Sequence, residues 1–430
     1  MVRLVAVKSG LLLDGTGRDP LKDGVVIIED SKITEVGEKL PMPQGAEIID
    51  ASNELVMPGL IDGHIHLDSD PGLTVFERLF APDSRVNLRA AKNARLTLEA
   101  GFTSILGNNG YRNYADIFLR ESIENGWIPG PRLYTSGPSI TSTLRNGLYT
   151  KYGFSCYPLE QFSVADGVEE LRKLVRKHVV SGVDWIKVLA TYDLSSASGE
   201  PALVAMNREE LQVVAQEAHA QDRKVKVHLE GEQTTKEALD VGIDIVLHGF
   251  CLDDDDVELM QKKKIALIPT LAWVGEVIRT GAPGMPEWYC KRAKRYNPNQ
   301  IASFKRAHQA GAVIAAGTDC SGGGTIGDFF RHGENTKELE YLVRNGFTPM
   351  EAIVAGTRNV AEAFGLSHLI GTIEPGKLAD VIVVDGDPLK DITILQDKTR
   401  IKTVIKNGDV VVENGSSKAI ACSSLQPRYT

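Results

Sequence analysis

Long apolar runs are absent from this sequence, and their absence excludes one class of protein. No stretch of the 430 residues approaches the roughly 20 apolar residues that a membrane-spanning helix needs. Residues 1–8 contain neither the apolar core nor the small-residue cleavage site of a signal peptide. We therefore expect a cytoplasmic protein that does not associate with membranes.

Cysteine and positive charge are also scarce. The five cysteines are odd in number, scattered and without a C-x-x-C pair, so neither a disulfide framework nor a cysteine-based zinc site is predicted. The 48 Lys and Arg residues against 57 Asp and Glu residues give a net charge of -9 without a basic stripe. This distribution disfavours a nucleic-acid partner and leaves a small molecule as the expected ligand.

Strand-like runs occur at both ends of the chain. They are short, rich in β-branched residues and separated by Gly, Pro and Asp turns. The runs are Leu4–Val7, Val25–Glu29, Lys32–Val36 and Glu47–Asp50 at one end, and Ala379–Val384, Ile401–Lys406 and Val410–Val412 at the other. This pattern predicts a small β-sandwich-like domain formed by residues 1–57 together with residues 370–430.

Residues 58–369 alternate strand-like and helix-like segments. Eight strands are predicted, over Leu60–Leu67, Phe102–Gly107, Arg132–Ser136, Asp184–Ala190, Val225–Glu230, Asp244–Gly249, Ile265–Thr270 and Val313–Thr318. Helices are predicted over Ser84–Ala100, Tyr114–Asn125, Gly167–Val180, Asn207–Gln221, Gln233–Val241, Asp253–Lys263, Gln300–Ala310, Thr336–Asn345 and Met350–Phe364. Eight such units predict an α/β fold, a TIM-type (β/α)8 barrel, with its active site at the C-terminal ends of the strands.

Two histidines, His64 and His66, lie two positions apart in the first predicted barrel strand. Residues i and i+2 of a strand point to the same face, so the pair can offer two imidazoles to one metal ion. A structural role, in which one histidine packs against the strand or caps it, explains this spacing equally well.

Other residues of types that can bind a metal ion lie within or at the ends of other predicted strands. Lys187 lies in strand four, His228 and His248 end strands five and six, and Asp319 follows strand eight. Each alone is compatible with a structural role, but together they bring polar groups from five strands to one rim. Lys187 is flanked by apolar residues and is costly to bury as a cation, so it should be paired, deprotonated or chemically altered.

The remaining histidines lie outside the predicted barrel strands. His178, His219 and His308 lie within predicted helices, and we interpret them as structural or solvated. His332 follows the eighth strand and is a candidate to line the mouth of the barrel and contact the substrate.

The spacing of these residues, with Met-Pro-Gly-Leu-Ile-Asp at 57–62 and Gly-Thr-Ile-Glu-Pro-Gly-Lys-Leu-Ala-Asp at 371–380, resembles the amidohydrolase superfamily over essentially the whole chain. Three shorter motifs, at residues 317–319, 348–352 and 385–389, are similar to the imidazolonepropionase-related group that includes Xaa-Pro and Xaa-Arg/Lys dipeptidases.

The resemblance implies a centre of two divalent metal ions, commonly zinc, held by His64, His66, Lys187, His228, His248 and Asp319. Lys187 would be carboxylated by CO2 on Nζ, which converts a buried cation into an anionic ligand that bridges both ions. His64, His66 and Asp319 would hold the more buried ion, and His228 and His248 the other. Ligand type alone leaves manganese, cobalt and iron open.

Such a centre predicts hydrolysis by a metal-bridging hydroxide, with one ion polarising the scissile carbonyl. Asp319 would act as general base and then as general acid for the departing amine. Neither a nucleophile elbow nor a P-loop ending is found, so the glycines of residues 321–327 are interpreted as a flexible active-site loop.

We therefore expect cleavage of an amide or peptide-like C–N bond in a dipeptide, an N-acyl amino acid or a related xenobiotic amide. The alternative is a cyclic amide hydrolase or a deaminase, although the bridging lysine argues against the deaminase. A barrel that serves only as a binding scaffold would be expected to lose ligands, whereas all six are present. The resemblance also favours a homo-oligomer.

Two regions depart from the dipeptidase-like pattern. That group reads His-Ala-His-Gly after strand five, whereas this chain has Glu230 in place of the second histidine, which would favour substrates with an amine or a basic group. The loop at residues 141–152 is not rich in Gly and His. We predict that Arg145, Lys151 and Tyr152 of this loop, with Tyr192 after strand four, contact the substrate; a solvated surface loop is the alternative.

Overall fold

The computed structural model describes residues 2–69, 81–108, 114–145, 162–196, 199–321 and 329–418. The strands in these ranges are β1 (Leu4–Leu12), β2 (Leu21–Lys22), β3 (Gly24–Glu29), β4 (Lys32–Glu38), β5 (Glu47–Pro58), β6 (Leu60–Ile65), β7 (Phe102–Gly107), β8 (Arg132–Tyr134), β9 (Ser139–Thr141), β10 (Phe162–Val164), β11 (Ile186–Leu189), β12 (Val225–Leu229), β13 (Ile245–His248), β14 (Ala266–Ile268), β15 (Val381–Val384), β16 (Ile401–Lys406), β17 (Asp409–Glu413) and β18 (Ser416–Ser417).

The helices in the same ranges are α1 (Asp83–Glu99), α2 (Ala115–Glu124), α3 (Gly167–Val180), α4 (Arg208–His219), α5 (Glu232–Val241), α6 (Asp254–Lys263), α7 (Leu271–Thr280), α8 (Glu287–Gln309), α9 (Lys337–Arg344), α10 (Pro349–Ala355) and α11 (Arg358–Ala363). Short 3-10 turns cover Ile392–Gln396 and Lys398–Arg400. No helix of the described ranges has both the length and the apolar character to cross a membrane.

The middle of the chain forms the predicted barrel. Strands β6, β7 and β8 make one parallel ladder, and β11, β12, β13 and β14 make another. The two ladders meet where the Asp184 N–H donates to the Thr135 carbonyl oxygen over 2.8 Å. Their outward side chains pack against the helices, and their inward side chains form a separate apolar cluster at the barrel floor.

The eighth position of the barrel is occupied by residues 313–319, which are extended but do not form a regular strand. Ile314 pairs with β14 through an isolated bridge to Leu267, and the Gly63 N–H of β6 donates to the Ala316 carbonyl oxygen over 3.0 Å. The segment closes the barrel between β14 and β6. A Cβ on Gly317 would lie 2.5 Å from Ile268, so this close approach needs glycine.

Four further elements of the barrel region differ from the sequence prediction. β9 and β10 are strands of three residues each, and neither was predicted. α7 was not predicted; it begins at Leu271, directly after the predicted strand Ile265–Thr270. α8 begins at Glu287 rather than at Gln300, because the helix continues through Pro298 while its buried face, from Tyr289 to Ala307, stays on one side.

The two ends of the chain form one mixed sheet of nine strands. Its order is β18-β17-β16-β15-β5-β1-β3-β4, with β2 paired to β1. The two ends meet where β5 and β15 pair antiparallel, with Val56 opposite Val383. β5 then leads through Gly59 into β6, so the terminal sheet is joined directly to the strand that carries the paired histidines. The domain boundaries at 57/58 and 369/370 stay predictions.

A buried ion pair connects this sheet to the lower end of the barrel. Arg132 of β8 donates to both carboxylate oxygens of Asp380, over 2.6 Å and 3.2 Å. Asp380 also accepts from the backbone N–H of Asn407 over 3.0 Å, and its own carbonyl oxygen accepts from Gly59. The last residue of the Gly-Lys-Leu-Ala-Asp motif therefore fixes the terminal sheet to the barrel.

Candidate metal centre

The first group of candidate ligands brings β6 together with the end of the eighth barrel segment. Asp319 Oδ1 lies 3.2 Å from His64 Nε2 and 3.1 Å from His66 Nε2. Asp319 has a φ of 56°, a left-handed backbone conformation that an L residue adopts at a cost. These three residues offer ligand atoms that all lie within 4.8 Å of one another, which is compatible with one metal ion.

The second group lies at the ends of β12 and β13. His228, Glu230 and His248 also offer ligand atoms within 4.8 Å of one another. His228 Nε2 is 3.6 Å from Glu230 Oε1, and the ring centroids of His228 and His248 are 4.5 Å apart. His248 has a φ of 66°, and its Nδ1 is 2.7 Å from the Thr270 hydroxyl, which leaves Nε2 to face the centre. Glu230, predicted as a substrate contact, therefore lies within this second group.

The two groups adjoin, and Lys187 of β11 lies close to both. The ring centroids of His64 and His248 are 5.5 Å apart. Lys187 is 2% exposed, and its Nζ has no hydrogen-bond partner within the described ranges. Burial lowers the pKa of Lys187 to about 7. A buried amine without a partner is costly, and this is the position where the resemblance implies carboxylation.

Burial also dominates the electrostatics of the candidate ligands. It lowers the pKa values of His64, His228 and His248 well below the usual range, which favours neutral imidazoles able to bind a metal. Burial, with the charges of Asp193 and Asp319, raises the pKa of Glu230 well above its usual range.

Asp319 behaves differently from Glu230. Burial raises its pKa, but the hydrogen bond and charge of His66, with the charges of His248 and Lys187, outweigh burial and lower the pKa overall. Divalent cations held by the two groups would add further positive charge beside these acids.

Several residues that we did not predict hold the first group in place. Both oxygens of Asp62 are used: Oδ1 accepts from the His64 N–H over 3.0 Å, and Oδ2 accepts from the Thr318 hydroxyl over 2.7 Å and from Asn335 Nδ2 over 2.8 Å. Asn108 Nδ2 contacts the His64 ring. Asp62 was visible within the Leu-Ile-Asp motif, but its partners lie far away in sequence.

Two of the predicted substrate residues, Arg145 and Tyr192, are held by neighbouring residues, and their contact with a substrate stays a prediction. Arg145 is paired with Asp193 and donates through Nε to the Thr191 carbonyl oxygen over 3.1 Å. Its charge lowers the pKa of His228, which indicates that it lies near the second group. The Tyr192 hydroxyl donates to the Leu144 carbonyl oxygen over 2.6 Å. Lys151 and Tyr152 lie outside the described residues, as do residues 322–327 of the predicted glycine loop.

His332 is buried beside the end of β6. It is 4% exposed, and its Nε2 lies 3.2 Å from the His66 carbonyl oxygen. His332 therefore supports the backbone at the end of β6, and its interpretation as a substrate contact stays a prediction. The helical histidines are separate from both groups, since His178, His219 and His308 bond to Ser136, Asp244 and Glu351.

Comparison with known proteins agrees with this geometry. The ochratoxinase of Aspergillus niger is 29% identical over 427 residues, which cover 94% of this chain and 86% of that protein. A solved Xaa-Pro dipeptidase with methionine bound in its active site matches with a TM-score of 0.86 and 27% identity, covering 95% of this chain and 100% of that one. A solved prolidase complexed with N-methylphosphonate-L-proline matches with a TM-score of 0.85 and 27% identity, over 95% of this chain and 100% of that one. The profile of the amidohydrolase family matches residues 55–411, and this chain therefore belongs to that family of enzymes.

Proposed function

We propose that this protein is a binuclear metal-dependent hydrolase that cleaves an amide or peptide-like C–N bond in a small substrate. The observation that carries the proposal is the adjacency of two three-residue ligand groups with a buried, unpartnered lysine amine beside both. By resemblance to the amidohydrolase superfamily, the amine of Lys187 would be carboxylated, and the resulting carbamate would bridge the two ions.

The donor set fits two divalent cations. His64, His66 and Asp319 would hold one ion, His228 and His248 the other, and a carboxylated Lys187 would be a ligand of both. Neutral imidazoles and carboxylates suit zinc, which is the metal we propose. When bound, the ions would supply a hydroxide nucleophile at neutral pH and would polarise the scissile carbonyl.

Asp319 is the residue that we propose moves the proton. Its side chain is 19% exposed and that of His66 is 25% exposed, against 2% for His64, so Asp319 is open towards a bound substrate whereas His64 is not. Its pKa stays low despite burial, so it is ionised and able to accept a proton from the attacking water. The same carboxyl group can then protonate the departing amine.

The nature of the substrate is proposed from the relatives and from the charges at the rim. The compared proteins are named for ochratoxin and for proline-containing peptides, and two of their structures contain methionine or a phosphonate-proline compound. We propose a dipeptide, an N-acyl amino acid or a xenobiotic amide. Arg145 and Tyr192, held by Asp193 and Leu144, are the proposed substrate contacts, and a homo-oligomer is the proposed assembly.

Glu230 is the position where this site departs most from the dipeptidase-like pattern. As a substrate contact it would favour an amine or basic group, and as a member of the second ligand group it would add negative charge to the metal site. Glu230→His restores the usual pattern and separates these roles. A substrate role predicts a higher KM for amine-bearing substrates with unchanged metal affinity, whereas a ligand role predicts altered metal affinity with every substrate.

The whole proposal is tested by metal analysis and a hydrolysis screen. The purified protein should contain close to two transition-metal ions per chain, and a panel of dipeptides and N-acyl amino acids should release amine at a rate that follows metal content. Labelling with 13C-bicarbonate should give a carbamate signal that Lys187→Met removes. A protein that hydrolyses these substrates at full rate without bound metal would contradict the proposal.

A further inference from the structure

A second lysine lies inside the barrel beneath the candidate metal centre. Lys226 belongs to β12, two residues before His228, so its side chain projects inward on the same face as that ligand. It is 0% exposed and lies directly opposite Lys187 in the register of β11 and β12. Two lysines paired across neighbouring strands inside an apolar barrel need an explanation, because each is costly to bury.

Lys226 makes its hydrogen bond across the barrel. Its Nζ donates to the carbonyl oxygen of Gly63 on β6 over 2.8 Å. The same Nζ lies 3.8 Å from the centroid of the Trp185 ring and 5.2 Å from that of Phe364. Among the described residues Lys226 has no ion pair, so the aromatic faces and one carbonyl oxygen are its main polar contacts.

The contact holds one end of the peptide unit that precedes His64. The carbonyl oxygen of Gly63 accepts from Lys226, and the N–H of His64 in the same peptide donates to Asp62 Oδ1 over 3.0 Å. Both polar ends of this peptide plane are therefore bonded. The Gly63 N–H is also occupied, by the Ala316 carbonyl oxygen. Rotation of the plane would move His64, and through it the geometry of the first ligand group.

A purely structural role for Lys226 is poorly explained by energetics. An apolar side chain of similar length would fill the barrel floor without the desolvation cost of an ammonium group, and such replacements of buried ionic groups are often neutral or stabilising. We infer that Lys226 is a positioning residue for the first metal site, which it serves by fixing the Gly63–His64 peptide from across the barrel. The inference rests on the proposed metal-dependent function.

The test compares Lys226→Met with Val227→Ala. Methionine keeps the length of the side chain and removes the donor. Val227 is the next residue of β12 and is fully buried on the outer face of the strand, so its truncation controls for damage to the strand. For each full-length protein we would measure metal content, the affinity for Zn²⁺ by chelator competition, kcat/KM, and the Tm of the metal-free form.

Lys226→Met is expected to weaken binding of the ion held by His64, His66 and Asp319 by ten- to a hundredfold, as the loss of outer supports of metal ligands usually does, and to lower the metal content from about two ions to about one. Its metal-free Tm should equal or exceed that of the wild type. Val227→Ala should lower the Tm but bind Zn²⁺ within twofold of the wild type.

Two results would overturn the inference. In the first, the Zn²⁺ affinities of Lys226→Met are within twofold of the wild type at both sites. In the second, both sites lose Zn²⁺ affinity to the same extent and the Tm of the metal-free form is also lowered. These outcomes are distinct from failure of the proposed function, in which the wild-type protein itself would bind no metal.

Discussion

The carboxylate of Asp62 joins the strand of the paired histidines to the segment that carries Asp319, because it accepts both the backbone N–H and the hydroxyl of Thr318, over 3.0 Å and 2.7 Å. Asn335 donates a further hydrogen bond to the same carboxylate over 2.8 Å. Two ligand-bearing segments from opposite ends of the barrel sequence are thus held by one buried acid.

Asp62→Asn should therefore weaken both the fold and the metal site. The new amide would place an N–H₂ group against the N–H₂ group of Asn335, and leaving such buried groups unsatisfied costs about 1–3 kcal/mol. Thermal unfolding and Zn²⁺ titration would measure the loss of stability and affinity.

A double variant that exchanges the acid and the amide between positions 62 and 335 makes this prediction sharper. In Asp62→Asn combined with Asn335→Asp, donor and acceptor exchange places, so much of the loss should be recovered, whereas Asn335→Asp alone should bring two acids together and destabilise the protein. Asp50→Asn, at an exposed acid that also accepts from a nearby residue, Ser52, serves as the control and should leave metal affinity unchanged. A double variant no better than Asp62→Asn would argue against direct pairing of residues 62 and 335.

How far the sequence predicts this structure depends on the range of each interaction. The barrel rhythm and the His64-x-His66 spacing follow from local periodicity, so both could be recognised along the chain. The bond from Asp62 to Asn335 and the bond from Lys226 to Gly63 join residues that only the closed barrel brings together, and no local pattern indicates them. Glu230 was recognised as unusual, but its proximity to His248 depends on the left-handed turn at the end of β13.

Metal removal should lower the stability of the protein measurably. Four of the six candidate ligands in the two groups are buried, and bound cations would compensate the negative charge of the two acids. At a free metal concentration 100-fold above Kd, each site contributes about 2.7 kcal/mol to the free energy of unfolding. Differential scanning calorimetry with and without a chelator should show a lower Tm for the chelated protein.

The matched variant for metal removal is Lys187→Met, which keeps the buried volume but cannot be carboxylated. Its Tm should respond little to chelator or to added Zn²⁺, and its hydrolytic activity should be lost. A Tm of the wild type that does not change on chelation, with the metal shown to be gone, would contradict the view that the cations balance the buried acids.

The ion pair between Arg132 and Asp380 should contribute to stability only while both partners are present. Side-chain exposure is 14% for Arg132 and 5% for Asp380, so removing one partner leaves a buried charge uncompensated and should cost about 3–5 kcal/mol. Arg132→Met and Asp380→Asn should each lower the Tm strongly, and the double variant should lose much less than the sum of the two.

The exposed pair of Arg208 and Asp240 is the control for this comparison, since solvent screens it. Arg208→Met should leave the Tm close to that of the wild type. Additive effects of the Arg132 and Asp380 substitutions in a double-mutant cycle would show that the two side chains do not stabilise each other.

The pH dependence of stability should differ in sign between two histidines outside the metal centre. Burial lowers the pKa of His178 to about 4, so the folded protein binds fewer protons than the unfolded chain between about pH 6.5 and pH 4. The stability associated with neutral His178 is present above pH 6.5 and should fall by roughly 3 kcal/mol as the pH drops through this window. The hydrogen bond to Asp244 instead raises the pKa of His219, so its contribution is present at low pH and is lost as the pH rises through the raised value. In metal-free protein, His178→Gln should flatten the acid side of the profile of Tm against pH. His219→Gln should lower the Tm mainly at acidic pH. Identical Tm shifts of both variants at every pH would refute the opposite signs assigned to the two histidines.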